Sequence, residues 1–396
     1  MPEVPERRLL LTAGRLFLGT AQDEEAVALL CLPLNWSSLF EKAAAEGMSG
    51  LLAFQLQQLA RAYPLNLPLD PLTQALHGIF VQNGAFFAEL SALREELRRR
   101  GLQAILLKGG ALLKTVYHDY PGVRPLSDLD LLIKPPDLPS MVELLKKRGF
   151  HPSSPASTFF LNGSVAFDIH TDLIGAARIR RRGLACQFDP EILWQQASPL
   201  DPQDPTLLVL SPPHQFLHLV VHALKHSFSR LIWFVDLGLL VGAGFHPARL
   251  GRASSPPLQC VKWEELLGWA EATGTLRALA YALFGLERLL MVEVPQEVQA
   301  RLPRFNRMEH MFLDRVVSRQ AREMLGEVLV MFSIPDLKGK LGYLLEFGFP
   351  RQEVLAEVFP STPSWLLYPR RLLQGMAVGL REGRHVMALV KRRNGR

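Results

Sequence analysis

The sequence predicts an α+β (α/β) protein in which a small mixed sheet is flanked by extensive helical regions at both ends. Short apolar runs at 104–107, 128–133 and 165–169 have the length and composition of buried strands. Apolar residues recur at three- and four-residue spacing before and after these runs, as in amphipathic helices. We divide the chain into four regions: helical (1–101), sheet-containing (102–175), helical (176–300) and basic helical (301–396).

The N-terminal region is predicted to be entirely helical. Its periodic segments lie at 9–18, 24–30, 36–46, 51–62 and 73–100. The last segment ends in three arginines followed by Gly101, a typical helix C-terminus, and the first strand begins at Ala104.

The first strand leads into a glycine-rich turn. Lys108, Gly109 and Gly110 follow the strand, and residues 111–117 have helical composition. Paired glycines permit a sharp turn and leave backbone amides accessible, and such amides at a helix N-terminus attract phosphate. The turn therefore predicts a phosphate-binding element.

The next strand begins with two carboxylates. Asp128 and Asp130 alternate with apolar residues, so their side chains are expected on one face of the strand. Two carboxylates near a phosphate-binding turn are what a divalent metal bound to a nucleotide requires.

A helix at 137–149 and strands at 150–152, 159–161 and 165–169 are predicted next, with Asn162 and Gly163 as a hairpin turn. Asp168 and His170 share one face of the last strand. If this strand lies beside 128–133, three carboxylates converge; the alternative is a plain hairpin with solvated acids.

These residues resemble the DNA polymerase β-like nucleotidyltransferase superfamily, which has a Gly-Gly or Gly-Ser turn, a helix and an Asp-x-Asp strand. They resemble more closely a bacterial family of uncharacterised nucleotidyltransferases, with a Lys-Gly pair, Tyr, Arg and Asp-x-Asp in series. The matching positions are Lys108, Gly109, Tyr117, Arg124, Asp128 and Asp130, and Asp168 stands where the superfamily has its third acid.

The resemblance implies transfer of a nucleoside monophosphate from a nucleoside triphosphate to a hydroxyl-bearing acceptor, a small molecule, peptide or protein. Asp128, Asp130 and Asp168 would hold two Mg²⁺ (or Mn²⁺) ions and act as the catalytic residues. The nucleotide would contact Lys108, Gly109, Gly110 and Arg124. A structural salt bridge from Lys108 or Arg124 to the acids is the alternative. Because clustered acids repel each other, Asp130→Asn is expected to leave the stability of the metal-free protein equal or higher.

Two other functions remain open. The same fold could be a catalytically silent nucleotide-binding module, or an interaction protein that uses the basic C-terminal region. Residues 301–396 hold 17 Lys and Arg against 9 Asp and Glu, whereas the rest of the chain has 27 against 29. Nucleic acid is an alternative partner that the sequence does not favour, because aromatic and basic residues do not alternate.

A histidine-rich segment, 213–241, repeats His every four residues at 214, 218, 222 and 226. Four residues overshoot one helical turn by about 40° at each step, so these four side chains cannot share one zinc ion. The same family has a His-rich helix followed by Trp and Asp, which corresponds here to His222, His226, Trp233 and Asp236. These residues are expected to pack the helix on the sheet. With His170, the histidines His222 and His226 and the acid Asp236 are accessory site candidates.

Other segments carry weaker predictions. The Arg-rich run 178–182 suits a triphosphate or acidic-substrate contact, or else a solvated helix end. Helix is expected from 173 onward, a loop at 242–257, and helices at 304–331 and 366–393.

Composition limits the class of protein. With 48% hydrophobic and 21% charged residues among 396, the chain is neither disordered nor fibrous. Three widely spaced cysteines form no disulfide framework, and the N-terminus does not resemble a signal peptide, so a cytoplasmic location is predicted. The longest apolar run, 231–245, is too short and too interrupted for a membrane span.

Overall fold

The computed structural model describes residues 4–154, 157–176, 178–242, 261–319, 323–359 and 362–374. Helices flank a seven-stranded mixed sheet on both sides in sequence, so the predicted α+β class is confirmed. One continuous apolar core extends from Leu9 near the N-terminus to Tyr343, and it includes residues of the sheet. The predicted division into four regions remains a prediction.

Five helices precede the sheet, as predicted: α1 (Pro5–Phe17), α2 (Asp23–Leu30), α3 (Trp36–Ala45), α4 (Ser49–Ala62) and α5 (Leu69–Arg99). The last turn of α5 contains Arg98 and Arg99, where the positive charges face the negative end of the helix dipole. Gly101 then adopts a positive φ of 66°, which turns the chain into the sheet. This long helix contacts two strands of the sheet and forms part of its cover.

The strands are β1 (Ala104–Leu106), β2 (Leu129–Leu132), β3 (His151–Pro152), β4 (Phe159–Asn162), β5 (Val165–His170), β6 (Ser198–Asp201) and β7 (Asp204–Val209). Their order across the sheet is β3-β4-β5-β2-β1-β7-β6. Strand β2 runs parallel to β5 and antiparallel to β1, and β1 runs parallel to β7. The Asn162–Gly163 hairpin is confirmed, with Gly163 at a φ of 58°.

Helices α6 (Lys108–Lys114) and α7 (Leu138–Lys147) connect the first strands. The helix predicted at 111–117 thus begins three residues earlier and ends three residues earlier. Lys108 itself has a positive φ of 44°, which is uncommon for a residue with a side chain. Tyr117 lies beyond the helix and is fully buried.

The prediction that the chain returns to helix from residue 173 is wrong for residues 198–209, which form two strands. A 3₁₀ turn at Arg180–Leu184 and helix α8 (Pro190–Gln196) are followed by the β6–β7 hairpin. Leu207 and Leu208 on β7 are both buried, because β7 pairs with β1 and packs on both faces. A strand buried on both faces lacks the alternating pattern that identifies a strand in sequence.

Within the residues described after β7, nine further helices follow: α9 (Pro212–Lys225), α10 (Leu231–Leu240), α11 (Trp263–Ala272), α12 (Leu276–Leu290), α13 (Gln296–Arg301), α14 (Arg307–Val317), α15 (Glu323–Ser333), α16 (Leu337–Gly348) and α17 (Gln352–Val358). The apolar run at 231–245 begins as α10, which is buried inside the protein. None of the helices within the described residues combines the length and hydropathy required to cross a membrane. Most of the loop predicted at 242–257, and the end of the helix predicted at 366–393, lie outside the described residues.

Candidate active site

The parallel pairing of β2 and β5 brings the predicted acids together. Asp130 lies directly opposite Asp168 in the register, and Leu132 lies opposite His170. Because successive side chains of a strand alternate between faces, Asp130, Asp168 and His170 project from one face of the sheet. The expectation that the two strands are neighbours is therefore confirmed, and the alternative of an isolated hairpin is not.

Asp130 is the centre of this cluster and is only 4% exposed. Its Oδ1 accepts a hydrogen bond from Lys108 Nζ at 2.5 Å and lies 2.8 Å from His170 Nε2. Burial alone would raise the pKa of Asp130, but the charge of Lys108 and the contact with His170 bring that pKa well below its ordinary value. Asp130 is therefore ionised and already has a positive partner.

His170 bridges the two acids. Its Nε2 atom lies 2.8 Å from Asp130 Oδ1 and 3.1 Å from Asp168 Oδ2. Burial lowers the pKa of His170, and the hydrogen bonds to Asp130 and Asp168 more than offset this, so the net direction is upward. Within the described residues, Asp130, Asp168 and His170 are the only group of three His, Cys, Asp or Glu side chains able to share one ion, their ligand atoms lying within 4.8 Å of one another.

Asp128 lies outside that three-residue group although it immediately precedes β2. Its Oδ1 accepts a hydrogen bond from Ser127 Oγ at 2.6 Å. Burial and then the negative charge of Asp130 raise the pKa of Asp128 above its ordinary value. The two acids of the Asp-x-Asp pair therefore differ: Asp130 is stabilised as an anion, whereas Asp128 is destabilised as one.

The glycines of the turn are also required by packing. A β-carbon on Gly109 would overlap Arg124 Nη1 and come within 2.8 Å of Leu126. A β-carbon on Gly110 would lie 2.8 Å from Leu106 and 2.9 Å from Leu129. Contacts this close are not tolerated without movement, so the Gly-Gly pair lets α6 lie directly on β2.

Arg124 is engaged away from the acid cluster. It forms a two-pronged pair with Asp236 of α10, in which Nη2 donates to Oδ2 at 2.8 Å and Nε donates to Oδ1 at 2.9 Å. Tyr117 Oη donates to the same carboxylate at 2.8 Å, and Asp236 is 0% exposed. Burial lowers the pKa of Arg124 and the charge of Asp236 more than restores it, so the guanidinium is held charged. The sequence also allowed a structural salt bridge from Lys108 or Arg124 to the acids. Lys108 forms such a bridge with Asp130, whereas Arg124 pairs with Asp236.

The histidine-rich helix α9 lies beside the cluster, and its histidines diverge as predicted. His214 packs on Trp269, with ring centroids 4.4 Å apart, whereas His222 and His226 pack on Trp233 at 5.2 and 5.8 Å. Among the described residues no third ligand completes a zinc site with His222 and His226.

Two residues of α9 near the site were not selected by sequence reasoning. His218 is 2% exposed, and its Nδ1 atom has no hydrogen-bond partner within the described part of the chain. Burial, followed by the charges of Lys108 and His170, lowers the pKa of His218 well below its ordinary value. The other residue is Lys225, which falls on the same helix face three and seven residues after His222 and His218. The sequence shows that spacing, but it does not show which face of α9 packs toward the sheet.

Comparison with known proteins identifies the family of the chain. The profile of a family described as uncharacterised nucleotidyltransferase matches residues 33–255. No curated protein and no solved structure matches the chain. The matched range includes the Gly-Gly turn, the acids of β2 and β5 and the whole of α9 and α10. Since it covers more than half of the sequence, the chain belongs to this family of uncharacterised nucleotidyltransferases.

Proposed function

We propose that the protein transfers a nucleoside monophosphate from a nucleoside triphosphate to a hydroxyl-bearing acceptor, with Asp128, Asp130 and Asp168 as the catalytic acids. One observation carries the proposal: Asp130 and Asp168 lie opposite each other on neighbouring parallel strands, with Asp128 immediately before one of them. In the reaction the acceptor oxygen bonds to the α-phosphorus, the bond from that phosphorus to the bridging oxygen breaks, and pyrophosphate leaves.

The donor set suits a hard divalent ion. Carboxylate oxygens of Asp130 and Asp168 are ligands that Mg²⁺ and Mn²⁺ take, and their closeness allows both to contact one ion. Bound Mg²⁺ or Mn²⁺ would neutralise phosphate charge and lower the pKa of the acceptor hydroxyl. The chemistry of the acids fits one such ion directly, and a second would draw on Asp128.

The residues of the chain have separate tasks in this proposal. Asp168, with a side chain 27% exposed, is placed to receive the proton of the acceptor hydroxyl. Lys108 supplies a fixed positive charge next to the transferred phosphate. Gly109 and Gly110 offer backbone amides of the first turn of α6 to the phosphates. Arg124 serves through Asp236 and Tyr117 by holding the loop before β2 in place.

A second function is favoured by one specific contact. Lys108 and His170 both lie on Asp130 Oδ1, so the charge that a metal ion would neutralise is already balanced. This arrangement supports a nucleotide-binding module without catalysis on the same fold.

The test measures nucleotide binding and nucleotidyl transfer together. It uses cell extract as the source of the acceptor because the sequence predicts a cytoplasmic protein. Purified protein is incubated with labelled ATP, GTP, CTP or UTP and cell extract, with Mg²⁺ or Mn²⁺, and transfer of the labelled monophosphate is measured. Asp168→Asn is the matched control, expected to bind nucleotide and transfer none. Metal-dependent nucleotide binding without any transfer by the native protein would favour the silent module, and equal ATP affinity with and without EDTA would contradict both.

A further inference from the structure

One face of α9 extends from the acid cluster toward solvent. His218, His222 and Lys225 occupy positions i, i+4 and i+7 on this face. His218 is buried, whereas His222 and Lys225 are half-buried. The positive charge of Lys108 acts on all three side chains, which places this face beside the catalytic acids.

At the outer end of this face, two cations converge on a glycine turn. A β-carbon on Gly175 would lie 3.1 Å from Arg182 Nη1 and 3.3 Å from Lys225 Nζ. The turn has a φ of 71° at Gly175 and is held by Asp172, whose Oδ1 accepts hydrogen bonds from the amides of Ile174, Gly175 and Ala176. Because Gly175 has no side chain, the guanidinium of Arg182 and the ammonium of Lys225 both approach the same point of the turn, where Arg182 Nη1 also donates to the Gly175 carbonyl at 3.5 Å.

Two carboxylates, Glu327 and Asp172, lie near these two cations, and both already have hydrogen-bond partners. Glu327 is the partner of Arg182, whose Nη2 donates to Glu327 Oε1 at 2.5 Å, and Tyr343 donates to the other oxygen of the same carboxylate. Asp172 is already occupied by three amides. Within the described residues the ammonium of Lys225 has neither a hydrogen bond nor an ion pair.

A half-buried ammonium without a direct partner is costly to the fold. Burial and then the charge of Arg182 lower the pKa of Lys225 to about 8. Arg182 Nε is likewise buried without a partner in the described part of the chain. Nitrogen donors of two neighbouring cations match the oxygens of a tetrahedral anion, and each such charge-assisted hydrogen bond is stronger than a neutral one.

We propose that Lys225 and Arg182, which approach the same point beside Gly175, bind a phosphate group of a substrate beside the catalytic acids. This inference rests on the proposed nucleotidyl transfer and adds a substrate feature to it. The phosphate has two sources: the triphosphate of the nucleotide, or a phosphorylated acceptor.

The direct test is calorimetric titration of inorganic phosphate into metal-free protein at low salt. The native protein is compared with Lys225→Met, Lys225→Arg and the control Lys114→Met, which removes a lysine that lies over the Phe87 ring on α5. Phosphate affinity should fall about tenfold or more in Lys225→Met, equivalent to about 1.4 kcal/mol, and should persist in Lys225→Arg and Lys114→Met. Lys225→Met should melt no lower than the native protein, because it removes an unpaired charge.

Titration of ATP with Mg²⁺ separates the two sources. Competition with phosphate and weaker ATP binding by Lys225→Met would assign the site to the nucleotide. Simultaneous binding, with unchanged ATP affinity, would assign it to a phosphorylated acceptor.

Equal phosphate affinity in the native protein and in folded Lys225→Met would overturn the inference, as would absence of binding up to about 10 mM phosphate, equivalent to an affinity weaker than about −3 kcal/mol. Its failure is separable from that of the proposed function. Transfer without Lys225-dependent phosphate binding refutes the phosphate site alone, and phosphate binding without transfer refutes the transfer reaction alone.

Discussion

Asp130→Asn tests whether the acid cluster is destabilised by repulsion among its like charges or stabilised by its positive partners. Repulsion among acids predicts equal or higher stability for this variant without metal. The structure predicts the opposite, because Asp130 Oδ1 pairs with Lys108 at 2.5 Å and lies 2.8 Å from His170. With the charge removed, the Lys108 side chain, only 15% exposed, keeps its positive charge in a buried place without the carboxylate that it pairs with.

The expected loss can be bounded. Removing one partner of a fully buried ion pair costs about 3–5 kcal/mol. Because Asp128 and Asp168 remain near the Lys108 ammonium, we expect about 2–3 kcal/mol for Asp130→Asn. With an unfolding entropy of about 2 cal/mol/K per residue, a chain this long should melt lower by roughly 2–4 °C.

The assay is thermal unfolding near neutral pH with EDTA, applied to Asp130→Asn, Lys108→Met and the double variant. The double variant should be more stable than the sum of the single losses predicts, since both charges leave together. Asp128→Asn is the matched control: burial and the charge of Asp130 raise the pKa of Asp128, so neutralising it should leave the melting temperature equal or higher.

Nucleotidyl transfer is measured on the same samples. Both Asp→Asn variants should reduce turnover at least about a hundredfold, comparable to the loss of a key electrostatic group. Additive losses in the cycle, together with a native melting temperature for Asp130→Asn, would refute the pairing of Lys108 with Asp130. Retained activity in both variants would refute the catalytic role of the acids.

Three further predictions concern groups around the site. Asp236→Asn leaves the buried Arg124 without a counter-charge and should cost about 3–5 kcal/mol in chemical unfolding; a loss under about 1 kcal/mol would contradict this role. The pKa of Lys225 is lowered by burial to about 8, so the unfolded chain binds its proton more strongly, and stability should rise as pH increases from about 8 to 10.5. Lys225→Met should lack this gain in the free energy of unfolding, about 1–3 kcal/mol, which is measured by comparing unfolding near pH 7 and near pH 10. An identical dependence of stability on pH in both proteins would contradict the prediction. His222→Ala should lower stability through lost packing on Trp233 and release no zinc; stoichiometric zinc in the native protein that disappears in this variant would show a metal site instead.

Local patterns were sufficient to predict the elements that carry the site. The apolar runs identified β1, β2 and β5, and the alternation along β2 and β5 identified the acids that point to one face. The hairpin turn at Asn162 and Gly163 could also be predicted from the sequence, because turn chemistry depends on adjacent residues.

The sequence could not identify the partners of the charged side chains. Arg124 and Asp236 are 112 residues apart, and only the packing of α10 against the loop before β2 brings them into contact. The sequence allowed Lys108 to pair with any of the three acids, and only the structure shows that it pairs with Asp130.

By itself the sequence determined the family, the strand–turn–helix–strand unit and the three acids, since each is written in neighbouring residues. Only the tertiary structure decided that β7 extends the sheet beside β1, that His170 bridges Asp130 and Asp168, and that Lys225 meets Arg182 at a glycine turn. Which strands are neighbours, and which counter-charge each buried ion has, depends on how segments that are distant in the chain pack together. No local sequence pattern specifies that arrangement.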